Sequence, residues 1–255
     1  MDDFMDFMRS FNRLTGIDLT LYKRPQMERR LTSLRNKNHF LNFVEYLRAM
    51  EKDRNLLYEL LDKMTINVSE FFRNPERWES LVPYLHDLTQ TSPLKAWSAA
   101  CSTGEEPYSL ALLMLERVKR PYEILATDID EKVLKSAQIG EYRDHQIKSV
   151  SEEYFYKYFM KQDYLWRISD RVKKNIIFRA HNLLSNQFPG DLDLIICRNV
   201  MIYFTEEAKQ KVIVGFANAL RPGGILFVGS TEQFLRTELH GLSAVGPFLY
   251  RKNTV

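Results

Sequence analysis

The segment from Leu94 to Leu115 constrains the fold more than any other part of this 255-residue chain. Its apolar run, Leu94 to Ala100, breaks into Cys101-Ser102-Thr103-Gly104, and Glu105-Glu106-Pro107-Tyr108-Ser109 then opens into Leu110-Ala111-Leu112-Leu113-Met114-Leu115. This order predicts a strand, a tight turn and a helix, with Pro107 in the first helical turn, where its missing N–H costs nothing. In an open α/β sheet, the crevice beyond a strand's carboxyl end is where a nucleotide-like ligand binds. Glu105 and Glu106 would repel a phosphate there, so a cationic or ammonium-bearing ligand fits better. The same two acids also suit a helix N-terminus through its dipole.

Beyond residue 94 strands and helices alternate, as a parallel sheet with helical crossovers requires. Tyr122–Thr127 reads as a second strand tipped by Asp128, which lies 24 residues past Gly104. An acid at that place is set to accept hydrogen bonds from ribose hydroxyls. A helix follows over Glu131–Ala137. Residues 142–180 interrupt the alternation: Ser151-Glu152-Glu153 caps a short helix over Tyr154–Phe159, and Tyr164–Ile168 and Val172–Arg179 read as strands. Part of this stretch is expected to form a small antiparallel insertion, with Ile176-Ile177-Phe178 returning to the main sheet and delivering Asn182-Leu183 to its carboxyl edge. Leu192–Ile196 is a buried strand leading into Cys197-Arg198-Asn199-Val200-Met201-Ile202-Tyr203-Phe204. Thr205 caps a helix that ends at Leu220-Arg221-Pro222-Gly223-Gly224. Ile225–Gly229 and Phe248–Arg251 complete the sheet, the last strand running antiparallel.

Residues 1 to about 72 carry apolar positions at helical spacing and almost no strand alternation. Phe4, Phe7, Met8, Phe11 and Leu14 form one stripe, closed by Gly16. Met27, Leu31 and Leu34 face inward from a helix beginning near Pro25. Phe43, Tyr46, Leu47 and Met50 mark a third helix; Leu56, Leu57, Leu60, Leu61 and Met64 mark a fourth. The expected organisation is an N-terminal helical domain (1–75), a linker helix (76–93) and an α/β domain (94–255) with its insertion at about 142–180. Between residues 20 and 40, Lys23, Arg24, Arg29, Arg30, Arg35 and Lys37 face only Glu28, a local excess of +5 (6 − 1). Such a face is either solvated or a docking surface for an acidic partner.

Composition removes several function classes. A net charge of +3 is too small to mark a nucleic-acid binder, and no apolar stretch approaches the roughly 18 residues of a membrane span. The acidic start, Met1-Asp2-Asp3-Phe4, lacks the basic opening of a secretion signal. Two cysteines, Cys101 and Cys197, fit a reducing cytoplasm without a disulfide scaffold and receive no chemical role here. The five histidines are scattered without ligand spacing, so no metal site is expected. Nothing marks an obligate interface, and a monomer is expected.

The Asp-tipped second strand and the Leu-Arg-Pro-Gly-Gly-Ile-Leu approach resemble class I S-adenosylmethionine-dependent methyltransferases, a Rossmann-like α/β fold. The first turn departs from that superfamily in holding one glycine where a glycine-rich loop is usual. Five segments together resemble something narrower: Asn67-Val68-Ser69-Glu70-Phe71-Phe72-Arg73, Ser102–Ser109, Thr127-Asp128-Ile129-Asp130, Asn182-Leu183-Leu184, and Cys197–Phe204. In that order and spacing they are similar to the chemotaxis receptor methyltransferases of the CheR type, and the resemblance covers nearly the whole chain.

The resemblance implies methyl transfer from S-adenosylmethionine to glutamate side chains on the cytoplasmic helices of chemoreceptors. The products are glutamate methyl esters and S-adenosylhomocysteine. It places Asn67, Ser69 and Arg73 on the cofactor from the helical side, with Ser69 standing where the family often has threonine. Glu106 receives the methionine end, Asp128 the ribose, Asn182 and Leu183 the adenine, while Arg198 and Asn199 complete the pocket. Tyr203 matches an active-site tyrosine, with Arg73 beside it as the second catalytic candidate. The basic helix around Arg24–Arg35 becomes the expected contact with acidic receptor helices. Some family members bind a receptor's C-terminal peptide by adding a strand to the insertion's edge. Here the Lys161-Gln162-Asp163 connection is short and lacks glycine, which favours direct docking instead. The rival readings are a methyltransferase acting on another substrate, and a non-catalytic S-adenosylmethionine-binding receptor module.

Overall fold

The computed structural model describes residues 3–65, 69–88, 93–229, 232 and 240–254. The N-terminal part is helical because its apolar residues recur on one face. In α1 (Asp3–Thr15), Phe4, Phe7, Met8 and Phe11 are buried. Gly16, at φ +74°, ends the helix while its N–H donates to the Asn12 carbonyl. Helix α2 (Arg24–Lys37) starts with Pro25 in its first turn and buries Met27, Leu31 and Leu34. The Asn42 side chain caps α3 (Phe43–Lys52) by accepting from the Glu45 N–H. Helix α4 (Arg54–Thr65) buries Leu60 and Met64, leaving Leu56, Leu57 and Leu61 part-covered against the same core.

The α/β part follows in chain order as α5 (Pro75–Asp87), β1 (Leu94–Ala99), α6 (Glu105–Leu113), β2 (Tyr122–Asp128) and α7 (Glu131–Ile139). An insertion then comprises β3 (Glu141–Tyr142), α8 (Asp144–Ile147), α9 (Glu152–Tyr158), β4 (Phe159–Gln162), β5 (Leu165–Ile168) and α10 (Asp170–Lys173). The main sheet resumes with β6 (Ile176–Ala180), β7 (Leu192–Cys197), α11 (Glu206–Ala219), β8 (Leu220–Val228), β9 (Leu242–Gly246) and β10 (Leu249–Lys252). Its strand order is β6-β2-β1-β7-β8-β10-β9, parallel from β6 to β8 and antiparallel for the last two strands. Chain order reverses between β1 and β7, the switch point where such sheets open a crevice at their carboxyl ends.

Side chains alternate between the two faces of this sheet. Trp97, Ala99, Ile195, Leu226 and Val228 join a core shared with α11 and the N-terminal helices. Leu94, Ala96, Ile124, Leu194, Ile196 and Phe227 face a second core closed by α5, α6 and the insertion. Helix α5, expected as a linker, sits in this flanking layer through buried Trp78, Leu81, Val82 and Leu85.

The secondary structure departs from the sequence reading at several places, among them strands over Glu141–Tyr142 and Phe159–Gln162, the latter starting inside the expected Tyr154–Phe159 helix. Val172–Arg179 is not one strand: Asp170–Lys173 is a helical turn with Val172 buried, and the strand begins at Ile176. Strand β9 was not expected; it is an edge strand with one buried residue, Leu242, flanked by Gly241 and Gly246. Residues Arg221–Gly224 belong to β8 as a bulge, because Leu192 pairs with Leu220 while Leu194 pairs with Ile225. The insertion's β3-β5-β4 sheet is antiparallel, and Asp163 at φ +53° closes its two-residue hairpin.

Candidate active site

The turn after β1 sets the floor of a cleft at the switch point. Ala100 (φ +67°), Ser102 (φ +50°) and Gly104 (φ +94°) are all left-handed. The chain therefore makes the sharp backbone path of a glycine-rich loop with a single glycine, holding two non-glycine residues in a strained region. The Cys101 N–H donates to the Thr127 carbonyl (2.8 Å), and the Ser102 N–H to Asp128 Oδ2 (2.9 Å), tying the turn to the tip of β2. At Gly104 the fit is close: a Cβ would lie 2.9 Å from that of Ala137.

The two glutamates of the turn part company. Glu106 lines the cleft and accepts a hydrogen bond from Ser98 Oγ (2.8 Å). Glu105 is fully buried away from it, accepting from Thr103 Oγ1 (2.8 Å) and Gln146 Nε2 (2.6 Å) of the insertion, with Ser69 as a further partner. Only Glu106 is available to a ligand. Burial pushes its carboxyl up to about 7, against the opposing pull of Arg198 and the Ser98 hydroxyl. Asp128 is raised to about 6, again chiefly by burial, although N–H groups of Asp130 and Ser102 stabilise its charge.

The loop after β7 forms the opposite wall. Arg198 is 7% exposed, its guanidinium 4.9 Å from the Phe227 ring centre and 5.7 Å from that of Trp78. Its Nη2 donates to the Arg73 carbonyl (2.7 Å) and to Asn74 Oδ1 (3.1 Å), joining this loop to the segment leading into α5. Asn199 is left-handed (φ +62°), and a 3₁₀ turn over Met201–Tyr203 presents Tyr203. The helical part packs directly on that turn. The Lys23 N–H donates to the Tyr203 carbonyl (2.8 Å), the Thr205 N–H donates to the Leu21 carbonyl (2.9 Å), and Tyr22 pairs with Phe204 as an antiparallel bridge. The Arg30 guanidinium lies 5.0 Å from the Tyr203 ring centre.

Ser69, Arg73, Glu106, Asp128, Asn182, Leu183, Arg198, Asn199 and Tyr203 all line this one cleft, which holds about 1210 Å³ of atom-free space including the solvent at its mouth. Asn67 lies outside the described residues. Among the lining residues that the motifs do not include, two carry polar groups of note. Tyr22 comes from the helical side, its hydroxyl pKa raised by burial and then by the charge of Asp128. His181 stacks edge-on against Trp97 at 5.3 Å, and burial lowers its pKa. Neither sits in a segment with a chemical signature, and an aromatic near a helix end reads as core.

The basic helix is less free than its sequence suggests. Arg24 pairs with Glu28 (3.0 Å), Lys37 with Glu59 (2.7 Å) and Arg35 with Asp3 (4.0 Å), acids partly supplied by other helices. Arg30 is turned toward Tyr203. Arg29 is exposed and forms no ion pair among the described residues.

Two families of segment therefore meet in one cleft, a helical bundle and a switch-point sheet. The description "CheR methyltransferase, SAM binding domain" matches residues 67–244, and "CheR methyltransferase, all-alpha domain" matches residues 2–65. The chain belongs to the CheR methyltransferase family. It is 43% identical over 255 residues to a chemotaxis protein methyltransferase of Listeria monocytogenes, covering 98% of this chain and 97% of that one. Relatives of the same description in Borreliella burgdorferi and Escherichia coli are 34% and 32% identical, covering 93% and 88% of this chain and 89% and 81% of theirs.

The cofactor of a CheR methyltransferase, S-adenosylmethionine, fits the chemistry of these walls. Its sulfonium and ammonium groups are cationic, and the cleft offers two carboxylates, the half-buried Glu106 and the buried Asp128, both held above the ordinary carboxyl range by desolvation. Four residues that line the cleft each carry a buried side-chain atom with no hydrogen-bond partner among the described residues: Trp78 Nε1, Ser102 Oγ, His181 Nε2 and Arg198 Nε. A polar ligand would supply such partners. No helix among the described residues is long and apolar enough to cross a membrane, and no group of three His, Cys, Asp or Glu among them could hold a metal ion.

Proposed function

We propose that this CheR methyltransferase esterifies glutamate side chains of chemoreceptors, yielding glutamate methyl esters and S-adenosylhomocysteine, and so serves sensory adaptation in bacterial chemotaxis. The observation that carries the reading is the convergence of Arg73 and Tyr203, from separate segments of the chain, on a cleft floored by Glu106 and Asp128. In this assignment Glu106 holds the ammonium of the cofactor, Asp128 its ribose hydroxyls, Asn182 and Leu183 its adenine, and Ser69, Arg198 and Asn199 the rest of the pocket. Asn67 is assigned to the same pocket from its motif alone. When bound, S-adenosylmethionine supplies an electrophilic methyl group on sulfur.

The protein's own task is then alignment. A glutamate carboxylate with a pKa near 4.3 is already an anionic nucleophile at neutral pH and needs no general base. Fixing its oxygen in line with the methyl carbon and sulfur is worth several kcal/mol of the barrier, up to roughly 7–11 in ideal cases. Arg73 holds the incoming carboxylate by a charge-assisted contact, and Tyr203, backed by Arg30, fixes its approach. Too strong a grip would quench the nucleophile, so both residues position rather than activate. The acidic receptor helices dock on the α2 face around Arg29, the protein acting as a cytoplasmic monomer without nucleic acid.

The test is transfer of a tritiated methyl group to receptor-containing membranes, followed by alkali. Label released as volatile methanol supports the glutamyl ester. Base-stable label indicates another substrate, and binding of S-adenosylmethionine without transfer indicates a non-catalytic module; either result overturns the proposal.

A further inference from the structure

Glu232 is a buried acid that the cleft does not contain. It is 4% exposed and lies four residues past the end of β8. Its carboxylate accepts backbone hydrogen bonds at Oε2 from the N–H groups of Asn199 (2.7 Å) and Gly229 (3.0 Å) and at Oε1 from that of Met201 (2.7 Å), with Val200 as a further main-chain donor. Its own N–H donates to the Gly229 carbonyl (3.0 Å). No ion pair to Glu232 exists among the described residues. Its charge is met by main-chain dipoles, with Arg198 as a longer-range cation.

The carboxylate thus fastens the carboxyl end of β8 to the loop after β7. Gly229 permits the approach, since a Cβ there would lie 2.6 Å from Glu232 Oε2 and 2.9 Å from the Asn199 nitrogen. The fastened loop needs fastening. Asn199 is left-handed, a conformation that a residue with a side chain keeps only when its surroundings enforce it. Arg198 and Asn199 precede the two bonds to the loop or share in them, and Tyr203 follows Met201 by two residues.

We infer that Glu232 is a positioning residue for methyl transfer, fixing the backbone from Arg198 to Met201 and thereby the places of Arg198, Asn199 and Tyr203 in the cleft. The inference rests on the reading of those three residues given above. Glutamine at this position keeps the size but turns one acceptor into a donor facing N–H groups. Aspartate keeps the charge but is one methylene too short to reach both strands.

The experiment measures kcat and KM for S-adenosylmethionine in wild type, Glu232→Gln and Glu232→Asp, each normalised to S-adenosylhomocysteine-binding sites counted by calorimetry. Glu232→Gln is expected to lower kcat at least tenfold and raise KM at least tenfold per competent site. A purely structural residue would lower Tm and leave both constants unchanged per site, and that outcome overturns the inference. Should Glu232→Gln fail to fold, wild type alone decides by NMR. The Asn199, Met201 and Gly229 amide protons should be downfield-shifted and slow to exchange, and ordinary shifts with fast exchange refute the arrangement. An inactive wild type would sink the proposed function instead; an active wild type matched by Glu232→Gln sinks only this inference.

Discussion

Lowering pH should weaken cofactor binding through Glu106 in a way the structure quantifies. In the ligand-free protein burial holds this carboxyl at about 7, well above the ordinary value. An ammonium placed against it stabilises the ionised form, so binding below pH 7 must expel a proton. Affinity then follows the fraction ionised, about one half at pH 7 and about one tenth at pH 6. The Kd for S-adenosylhomocysteine, which carries the same ammonium, should rise about five-fold over that unit, about 1 kcal/mol, and approach tenfold per unit below it. Asp128, raised to about 6, adds a second proton lower still. The linkage to folding has the opposite sign. A raised folded pKa gives stability that is full below the unfolded value and lost as pH rises through about 7. Stabilisation by ligand should therefore be larger above pH 7 than below it. Calorimetry in buffers of different ionisation enthalpy counts the protons released, and Glu106→Gln should bind more weakly, with the pH 6–7 dependence cut to the roughly twofold that Asp128 contributes. A wild-type Kd constant within twofold from pH 7 to pH 6 would refute the pairing of Glu106 with the ammonium.

Other expectations follow from single contacts. Gly104→Ala places a Cβ 2.9 Å from Ala137 in a left-handed turn, and should cost about 2–5 kcal/mol in denaturant unfolding; a loss under 1 would contradict the close packing. Ala100→Gly removes left-handed strain at φ +67° worth about 1–2 kcal/mol, against a chain-entropy cost of about 0.5–1, so a small gain in unfolding free energy is expected and a net loss is not. Arg29→Glu should reduce receptor methylation with the Kd for S-adenosylhomocysteine unchanged; undiminished turnover would remove α2 as the docking face. Tyr203→Phe keeps the ring beside Arg30 and should lower kcat about tenfold or more through misalignment alone, with ligand affinity within twofold of wild type.

The parts legible in the sequence were those with a period or a local chemical signature. The apolar runs Leu94–Ala100 and Leu192–Ile196 marked buried strands, and the helical stripe from Phe4 to Phe11 is as plain. An acid at a strand tip gave Asp128, and one in the turn leading into α6 gave Glu106. What the sequence hid depends on backbone geometry or on distance along the chain. Ala100, Ser102 and Asn199 bear no mark of the left-handed conformations they adopt. Glu105 and Glu106 are adjacent, and only the helix rotation between them sends one to the cleft and the other to Gln146. Glu232 meets Asn199 across 33 residues, and Tyr22 meets Phe204 across the lobes, pairings no spacing rule reports. Val172 read as a strand residue because a four-residue helix is too short to show its period.

The bridge between Tyr22 and Phe204 has a consequence for how this enzyme can be divided. Main chain from residues 21–23 hydrogen-bonds the strip that bears Tyr203, and one continuous apolar core runs from Phe4 through Trp97 to Tyr250. A fragment cut at residue 66 would retain every sheet-borne residue of the cleft, yet the tyrosine's strip would lose its outer partner and bare Phe204 to water. Excising the bundle should thus yield a nucleotide-binding remnant that turns over slowly even on a free glutamyl peptide, where receptor docking has no part.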